Sequence, residues 1–223
     1  MQRFFDIIFS LLALFFLCPL LLPILIVLKL TGEGEIFFSQ PRVGKDGEMF
    51  DLLKFATMLK DSPNMGTGTV TVQGDPRILP MGHFLRKTKL NELPQLLNVF
   101  LGHMSVIGPR PQDRRCFDAF PVNSQKEIVR VRPGLSGIGS IVFRDEENLM
   151  VDSADYDNYY DNVIMPYKGF LEEWYVRNNG LFIYFLCIFI TVWILFRPKS
   201  SLLWKVLKDL PKPPAQLSGK LGQ

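Results

Sequence analysis

One arginine stands between two prolines in the segment Gly108-Pro109-Arg110-Pro111. Because proline fixes the backbone angle φ, such a loop loses little entropy on ordering and can hold Arg110 as a preformed fork. A guanidinium fork binds phosphate or carboxylate groups through two parallel hydrogen bonds. The segment is compatible with an anion site, although a turn with a solvated arginine is the commoner meaning of such a tetrapeptide.

An amide and an acid, Asn91 and Glu92, precede this loop at the start of a predicted helix, 92–101. A carboxylate can attack phosphorus or bind Mg²⁺, whereas a neutral carboxamide is a poor nucleophile and a weak magnesium ligand. Asn91 also has a structural interpretation, because asparagine is a strong helix N-cap and Pro94 fits the first turn of a helix.

Other cationic side chains lie at spaced positions, and each alone is more typical of a surface charge than of a ligand: Lys54, Arg77, Arg86, Arg132 and Arg144. The chain has no Walker loop, dinucleotide fingerprint or Gly-x-Ser-x-Gly elbow. Three dispersed cysteines and two histidines argue against a thiolate or histidine metal centre, which leaves a hard cation held by carboxylates and phosphates. A net charge of +3 without a basic run argues against nucleic acid as a partner.

The elements that must position these residues begin with an apolar segment, because no residue from 7 to 28 is charged. At ~1.5 Å per residue, a helix of this length just crosses a hydrocarbon layer of roughly 30 Å. Pro19 and Pro23 lie one turn apart, and each removes a helical hydrogen bond. Two paths remain open: a kinked helix that spans the membrane, and a re-entrant helix that bends back at Cys18-Pro19.

Sequence patterns predict a β-hairpin over 35–55, a polar loop over 61–74, helices over 79–87 and 92–101, a helix opened by a capping box at Ser124–Glu127, and a further helix over 152–176 interrupted at Pro166. A second apolar stretch, 178–196, has aromatic and basic flanks that favour a helix in the membrane interface. A short span and a buried core helix are the alternatives. The tail from Pro211 onward has the composition of a disordered segment.

Three motifs then occur in one order: SQPRVGKDGEMFDLLKFATM (39–58), DPRILPMGHFLRKTKLNELPQLLNVFLGHMSVIGPRPQ (75–112) and VRPGLSGIGSI (131–141). Together they resemble the bacterial sugar transferase family, the monotopic polyprenyl-phosphate phosphoglycosyl transferases, over roughly residues 3–196. The resemblance implies a mostly helical α+β fold with a small β-hairpin and interfacial helices around an active site at the membrane surface. It also favours the re-entrant path, with the break at Cys18-Pro19.

The implied reaction moves a sugar-1-phosphate from a nucleotide-diphosphate sugar, with UDP expected, to undecaprenyl phosphate, and releases a nucleoside monophosphate. It would use Mg²⁺, occur at the cytosolic face of the bacterial inner membrane, and initiate capsule, exopolysaccharide or O-antigen synthesis. We therefore expect four segments: a re-entrant membrane helix (1–30), a cytosolic catalytic domain (31–177), an interfacial or membrane helix (178–200) and a tail (201–223). Membrane lipid is an expected partner, and a homodimer is compatible with the sequence.

Carried onto this chain, the resemblance gives Arg110 and Arg86 a role in binding phosphate or nucleotide, with Lys54 a weaker match. Arg132 and Arg144 are further candidates for the same role. Glu92 matches the second member of the family's acidic pair and is the expected metal ligand. Asn91 stands where the family has the aspartate that acts as nucleophile.

This departure leaves four explanations open. In the first, Glu92 takes over as nucleophile or base, and in the second, the lipid phosphate attacks the donor directly. In the third, the chain is an engineered or natural inactive form, such as a silent homologue that binds lipid phosphate or a partner enzyme. In the fourth, another acid, such as Asp145, Glu146 or Glu147, enters the site. His103 and the segment Gly137–Ser140 depart from the family pattern as well. We expect an active enzyme, because Glu92 and the cationic set are retained.

Overall fold

The computed structural model describes residues 1–65, 75–144, 156–198, 200–219 and 221. The chain forms two compact units. We call residues 7–41 and 51–101 the acidic-turn unit, because they include Asn91 and Glu92. We call residues 1–6, 42–50 and 102–223 the arginine-loop unit, because they include Arg110.

The apolar segment forms one helix, α1, from Gln2 to Leu30. The helix continues through Pro19 and Pro23, so the predicted break is not an interruption of helical structure. By length and composition α1 could cross a membrane, and Phe15 and Phe16 are 72% and 71% exposed. Side chains this apolar on an open helix face are typical of contact with lipid.

The start of α1 belongs to the arginine-loop unit and is fixed there by Asp6, which is almost fully buried. Its Oδ1 atom accepts hydrogen bonds of 2.9 Å each from the Ser105 hydroxyl, the Val106 N–H and the Tyr184 hydroxyl. A buried carboxylate is costly unless it is paired in this way. Asp6 therefore ties the first turn of the apolar helix to the folded unit.

Strands β1 (Phe37–Val43) and β2 (Met49–Phe55) form an antiparallel hairpin. In the acidic-turn unit, α2 (Pro80–Lys87) packs Leu85 with Phe55 of β2, and Asn98 of α3 (Gln95–Leu101) forms hydrogen bonds with the Leu53 N–H and the Asp51 carbonyl of β2. The hairpin and α2 confirm the predictions. The helix predicted over 92–101 begins later, because Leu90–Glu92 form a 3₁₀ turn. Pro94 has no N–H to donate to the Leu90 carbonyl, which accepts the Leu93 N–H at 3.1 Å instead.

The unit's core joins the second half of α1 to the remaining elements. Ile24 and Leu28 of α1 pack with Phe55 of β2 and Leu85 of α2. Leu90 and Leu93, on either side of Asn91 and Glu92, pack against this cluster. The end of the apolar helix is thus part of the core that supports the acidic turn.

The arginine-loop unit contains the hairpin tip and the following elements: β3 (Ser105–Ile107), α4 (Arg114–Asp118), α5 (Val122–Ile128), β4 (Gly134–Ser136), α6 (Ile138–Val142), α7 (Tyr156–Tyr159), a π turn (Tyr160–Ile164), α8 (Met165–Arg177), α9 (Leu181–Phe196) and α10 (Leu202–Val206). Strands β3 and β4 pair in parallel, with Ser105 opposite Gly134 and Ile107 opposite Ser136. Val43, Phe117, Phe120, Ile128 and Met165 form a core cluster.

Two predictions about this unit are wrong. The predicted capping box does not open α5, which begins at Val122, because the Ser124 hydroxyl donates to Glu173 at 2.7 Å instead. The tail from Pro211 is not disordered where it is described: Leu217 is fully buried, and the Pro211 carbonyl accepts a 2.8 Å hydrogen bond from Tyr167. Spaced leucines bury enough apolar surface to offset a Pro-rich composition.

Helix α9 has two different faces. Tyr184, Cys187 and Ile190 are fully buried, at helical spacing. The other face carries exposed phenylalanines, including Phe182 at 73% and Phe196 at 78%. The buried core helix is therefore excluded, while the interfacial position of α9 stays a prediction.

Candidate active site

The arginine loop, Gly108–Pro111, is built on a close approach of backbones. A Cβ atom on Gly134 would lie 2.1 Å from the Gly108 nitrogen, and one on Gly137 would lie 2.1 Å from the Gly108 oxygen. The Gly108 N–H donates to the Ser136 carbonyl at 2.9 Å, and the Gly134 N–H donates to the Pro109 carbonyl at 2.8 Å. The second and third sequence motifs thus meet at this loop, and glycine is required where their backbones touch.

Arg110 is the one exposed residue of this loop. Gly108, Pro109 and Pro111 are buried, so the chain is fixed on both sides of the arginine. The Arg110 N–H donates to the Glu172 carboxylate at 3.2 Å. The structure therefore presents Arg110 on an ordered backbone, and its role in an anion site stays a prediction.

A second arginine lies near Arg110 in the same unit. Arg42, on β1, is mostly buried, and its Nη1 atom is 3.1 Å from Oδ2 of Asp113. Burial lowers the pKa of Arg42, the charge of Asp113 opposes this effect, and the positive charge of Arg110 adds to the lowering. Arg42 lies in the first motif, but its partner is 71 residues away, so spacing gave no signal for the pair.

Asp113 completes this arrangement. It is the N-cap of α4 and accepts the Cys116 N–H at 2.8 Å. Burial raises the pKa of Asp113, but the Cys116 hydrogen bond and the charge of Arg42 outweigh it and hold the pKa below its usual value. Arg42 is therefore held by an ionised carboxylate, close to the exposed Arg110.

Arg132 and Arg144 also belong to the arginine-loop unit, and both donate to backbone carbonyls. The Arg132 Nε atom donates to Gly102 at 2.6 Å, and the Arg144 Nη1 atom donates to Ile194 at 2.6 Å. These contacts give both residues a structural role. Their part in binding phosphate stays a prediction.

The acidic turn places Asn91 and Glu92 on the 3₁₀ turn after Lys89, whose φ of 60° is left-handed. Asn91 does not cap a helix, because α3 begins four residues later, at Gln95. Its Oδ1 atom is buried and accepts no hydrogen bond from the residues that the structure describes. An orphaned buried acceptor costs roughly 1–3 kcal/mol, so a stable protein needs a ligand or water there.

Lys54 and Arg86 belong to the acidic-turn unit, and both are half-buried. The Arg86 Nη1 atom donates to the Thr57 hydroxyl at 3.4 Å. A Cβ atom on Gly82 would lie 2.1 Å from the Thr57 carbonyl oxygen, so α2 packs directly on the segment that follows β2. This packing joins the two elements that carry Arg86 and Lys54.

The remaining predicted residues are found elsewhere. Cys18 and Pro19 are exposed on α1. The acids Asp145, Glu146 and Glu147 lie outside the described residues. Within the described ranges, no group of three or more His, Cys, Asp and Glu side chains is placed to hold a metal.

Comparison with known proteins identifies the family. A family model described as bacterial sugar transferase matches residues 1–198. The exopolysaccharide production protein ExoY of Sinorhizobium fredii is 34% identical over 173 residues, which cover 71% of this chain and 76% of the relative. The exopolysaccharide production protein PSS of Rhizobium leguminosarum is 46% identical over 110 residues, which cover 49% of this chain and 55% of that protein.

A further relative carries a biochemical name. The UDP-glucose:undecaprenyl-phosphate glucose-1-phosphate transferase of Escherichia coli K12 is 36% identical over 148 residues. The match covers 63% of this chain and 31% of that longer protein. With the family match over residues 1–198, these similarities show that the chain is an enzyme of the bacterial sugar transferase family.

Proposed function

We propose that the protein transfers a sugar-1-phosphate from a UDP-sugar to undecaprenyl phosphate and releases UMP. The reaction would take place at the cytosolic face of the bacterial inner membrane and begin the assembly of a capsule, exopolysaccharide or O-antigen repeat. The names of the relatives, which include undecaprenyl-phosphate glucose and N-acetylgalactosamine phosphotransferases, support this reaction.

The observation that carries the proposal is the packing of the acidic turn on the apolar helix. Leu90 and Leu93 flank Asn91 and Glu92 and pack against the cluster that contains Ile24 and Leu28 of α1. An enzyme that joins a water-soluble diphosphate to a lipid phosphate needs its reacting group at the headgroup level. A turn mounted on the end of a membrane helix meets this need.

The second support is the position of the chain on either side of the uncharged stretch 7–28, which forms most of α1. Residues 1–6 and the hairpin tip, 42–50, belong to the same arginine-loop unit, and Asp6 is hydrogen-bonded within that unit. A helix that crossed the bilayer would carry Met1 to the opposite side from the tip. We therefore propose the re-entrant path, with Pro19 and Pro23 providing the bend.

The cationic side chains would stabilise charge on the donor. Arg110, with Arg42 nearby, offers guanidinium groups on a fixed backbone, and Lys54 and Arg86 add cations in the acidic-turn unit. Phosphoryl transfer depends mainly on positioning and on electrostatic stabilisation of the transferring group. We propose that Arg110, with Arg42 beside it, binds the diphosphate of the sugar nucleotide. Binding of phosphate or nucleotide by Lys54 and Arg86 is a separate proposal for the acidic-turn unit.

Magnesium fits the acidic turn. The Glu92 carboxylate and the orphaned Oδ1 atom of Asn91 are oxygen ligands of the kind that Mg²⁺ takes, with donor phosphates completing the set. When bound, Mg²⁺ would neutralise negative charge on the diphosphate. Glu92 is also the remaining carboxylate of the turn, and two roles are open to it.

In the covalent route, a Glu92 oxygen attacks the β-phosphorus of the donor, and the bond from that phosphorus to the bridging oxygen breaks. UMP leaves with the bridging oxygen, and lipid phosphate then displaces Glu92. In the direct route, lipid phosphate attacks the same phosphorus while Glu92 accepts its proton. Only the covalent route releases UMP without lipid, in an amount equal to the enzyme.

The test is UMP release by purified enzyme in lipid nanodiscs with Mg²⁺ and a panel of UDP-sugars. We expect steady turnover that requires undecaprenyl phosphate. A single equivalent of UMP without the lipid shows a covalent intermediate, and loss of this burst in Glu92→Gln assigns the covalent role to Glu92. No burst in the unaltered enzyme assigns the direct route. If no UMP is released with any nucleotide sugar, the second candidate function is favoured: a silent homologue that binds lipid phosphate. Asn91, in place of the family's aspartate, is the observation that suggests it.

The path of α1 is tested by epitopes placed before Met1 and at Lys45 in the hairpin turn. In inverted and right-side-out vesicles, both epitopes should be accessible only from the cytosolic side. An epitope at Met1 that is reached from the opposite side would exclude the re-entrant path while leaving the reaction untouched.

A further inference from the structure

Helix α8 presents a buried acid to the arginine loop. Glu172 is 3% exposed, and its Oε1 atom accepts the Arg110 N–H at 3.2 Å. The Gly139 N–H also donates a hydrogen bond to this carboxylate. One carboxylate therefore binds the backbones of the second and third motifs, 62 residues and 33 residues away in sequence.

The Glu172 carboxylate lies against the backbone of Gly139, where no side chain fits. A Cβ atom on Gly139 would lie 2.3 Å from Glu172 Oε1, which is far inside van der Waals contact. One turn along α8, the Tyr175 hydroxyl donates to the Ile107 carbonyl at 3.1 Å, and Tyr175 is almost fully buried. Helix α8 thus holds the strand that leads into the arginine loop at Ile107 and the loop itself at Arg110.

The buried surroundings of Glu172 disfavour the ionised form of its carboxyl group. Its Oε2 atom is buried and forms no hydrogen bond with the described part of the chain. Burial raises the pKa of Glu172 to about 7, although the Arg110 hydrogen bond, the charge of Lys168 and the Gly139 hydrogen bond all lower it. Lys168 itself is buried over the rings of Phe143 and Tyr160, at 5.1 Å and 5.4 Å.

From this geometry we propose that Glu172 is a positioning residue that fixes the backbone of Arg110, so that the guanidinium is held in the orientation that binds the donor phosphates. The proposal rests on the role of Arg110 in the proposed function. A backbone held by a carboxylate is fixed more firmly than one held by a neutral acceptor, because charge-assisted hydrogen bonds are roughly twice as strong. The glutamate acts through Arg110 and is not itself a catalytic residue.

The test compares Glu172→Leu, which removes the acceptor, with Glu172→Gln, which keeps an acceptor oxygen and removes the charge. Glu173→Gln is the matched control, since Glu173 lies on the same helix and pairs with Ser124 and Arg177 instead. The first readout is hydrogen exchange of the segment 107–112 in the full-length protein. The second is kcat and KM for the nucleotide sugar.

We expect Glu172→Leu to raise exchange in the arginine loop by about tenfold or more and to lower kcat/KM by about 10- to 100-fold, as misplacement of a charge-stabilising group does. Glu172→Gln should show smaller changes in the same direction, and Glu173→Gln should show none. If Glu172→Leu does not fold, the graded effect of Glu172→Gln decides. Unchanged exchange, or raised exchange with normal turnover, would overturn the proposal.

A double variant separates this proposal from the proposed function. If Glu172 acts through Arg110, then Glu172→Leu should lower activity much less in the Arg110→Ala protein than in the wild type. Full turnover by Arg110→Ala would remove Arg110 from the active site, but the exchange experiment would still report whether Glu172 orders the loop. An equal loss of activity from Glu172→Leu in the wild type and in the Arg110→Ala protein would show that Glu172 does not act through Arg110.

The pH profile adds a readout that a merely structural role would not move. The ionised carboxylate is the better acceptor, so protonation of Glu172 below about pH 7 should lower kcat/KM, and Glu172→Gln should remove this contribution to the pH profile. The ionisable groups near Glu172 are Lys168, Arg110, Tyr175 and Cys187. Burial raises the pKa values of the Tyr175 hydroxyl and the Cys187 thiol above their ordinary values, so neither loses its proton near pH 7. A profile that Glu172→Gln leaves unchanged would count against the proposal.

Discussion

The arginine loop and the acidic turn have opposite designs. The backbone of the arginine loop is fixed by glycine contacts, by hydrogen bonds to Ser136 and Gly134, and by Glu172, and it exposes one side chain. The acidic turn rests on leucines that pack against a membrane helix, and it keeps one buried oxygen without a partner among the described residues. The first presents a charged side chain from an ordered backbone, whereas the second keeps a polar acceptor in a buried position.

Removal of the Arg110 guanidinium should have the largest effect on activity among the changes proposed. Arg110→Ala leaves the fixed backbone in place and removes only the exposed charge, so we expect the rate of UMP release to fall by about 10³-fold. Arg114→Ala is the control, because Arg114 is exposed on α4 and pairs with Asp118 of the same helix. Equal activity of the two variants would contradict the assignment of Arg110.

Adding a side chain where the backbone meets the arginine loop should have the second-largest effect. Gly134→Ala places a methyl group 2.1 Å from the Gly108 nitrogen, and we expect a loss of about 3 kcal/mol in the free energy of unfolding. Gly180→Ala is the control, because a Cβ atom there would meet only the Asn178 carbonyl oxygen, at an ordinary contact distance of 4.0 Å. Thermal denaturation in nanodiscs measures both variants. Equal stability would show that the loop is not held by backbone contact.

Adding a charge to the incomplete turn should have a smaller, Mg²⁺-dependent effect. Without the metal, Asn91→Asp places a carboxylate oxygen where Oδ1 is buried, so we expect a loss of about 1–3 kcal/mol in stability. Mg²⁺ should restore this loss. Asn123→Asp, at an exposed site on α5, should lose nothing and gain nothing from Mg²⁺.

The same variant also separates the two candidate functions. A silent homologue should gain UMP release with Asp at position 91, whereas an enzyme adapted to asparagine should change its rate little. Stability of Asn91→Asp that does not respond to Mg²⁺ would remove position 91 from the metal site.

The smallest effect is expected at the Arg86 contact. Thr57→Val removes the hydroxyl that Arg86 contacts at 3.4 Å and keeps the shape of the side chain. We expect KM for the nucleotide sugar to rise by about two- to fivefold, because a hydrogen bond as long as 3.4 Å is weak and contributes about 0.5–1 kcal/mol. Thr88→Val is the control, because the Thr88 hydroxyl bonds to the Phe84 and Leu85 carbonyls of the adjoining helix α2.

Local patterns predicted the local structure well. The turn residues Gly44–Gly47 between two short strands predicted the hairpin, the helical pattern over 79–87 predicted α2, and the two prolines predicted an ordered loop around Arg110. Contacts between distant residues gave no such signal: the parallel pairing of β3 with β4, Asp6 with Ser105, and Glu172 with Arg110. These contacts join segments whose spacing in sequence carries no period.

The two errors at caps have one physical cause. Asn91 and Ser124 are good N-cap residues by type, but a cap also needs the helix to begin at that residue. Pro94, three residues after Asn91, delays the start of α3 to Gln95. The Ser124 hydroxyl donates its hydrogen bond to Glu173 of α8 and is not available to cap α5. The resemblance to a family supplied the candidate site positions, which stay predictions, while only the structure showed that Asn91 is not a cap.

The folded tail bears on where this protein can be shortened. Family similarity stops at residue 198, yet Leu203, Leu207, Leu210 and Leu217 beyond that point are all buried. Deleting residues 199–223, at the end of the family match, would remove these leucines and expose the apolar surface that they cover. Such a truncated enzyme should precipitate during purification, so expression designs ought to retain the last segment and carry affinity tags elsewhere.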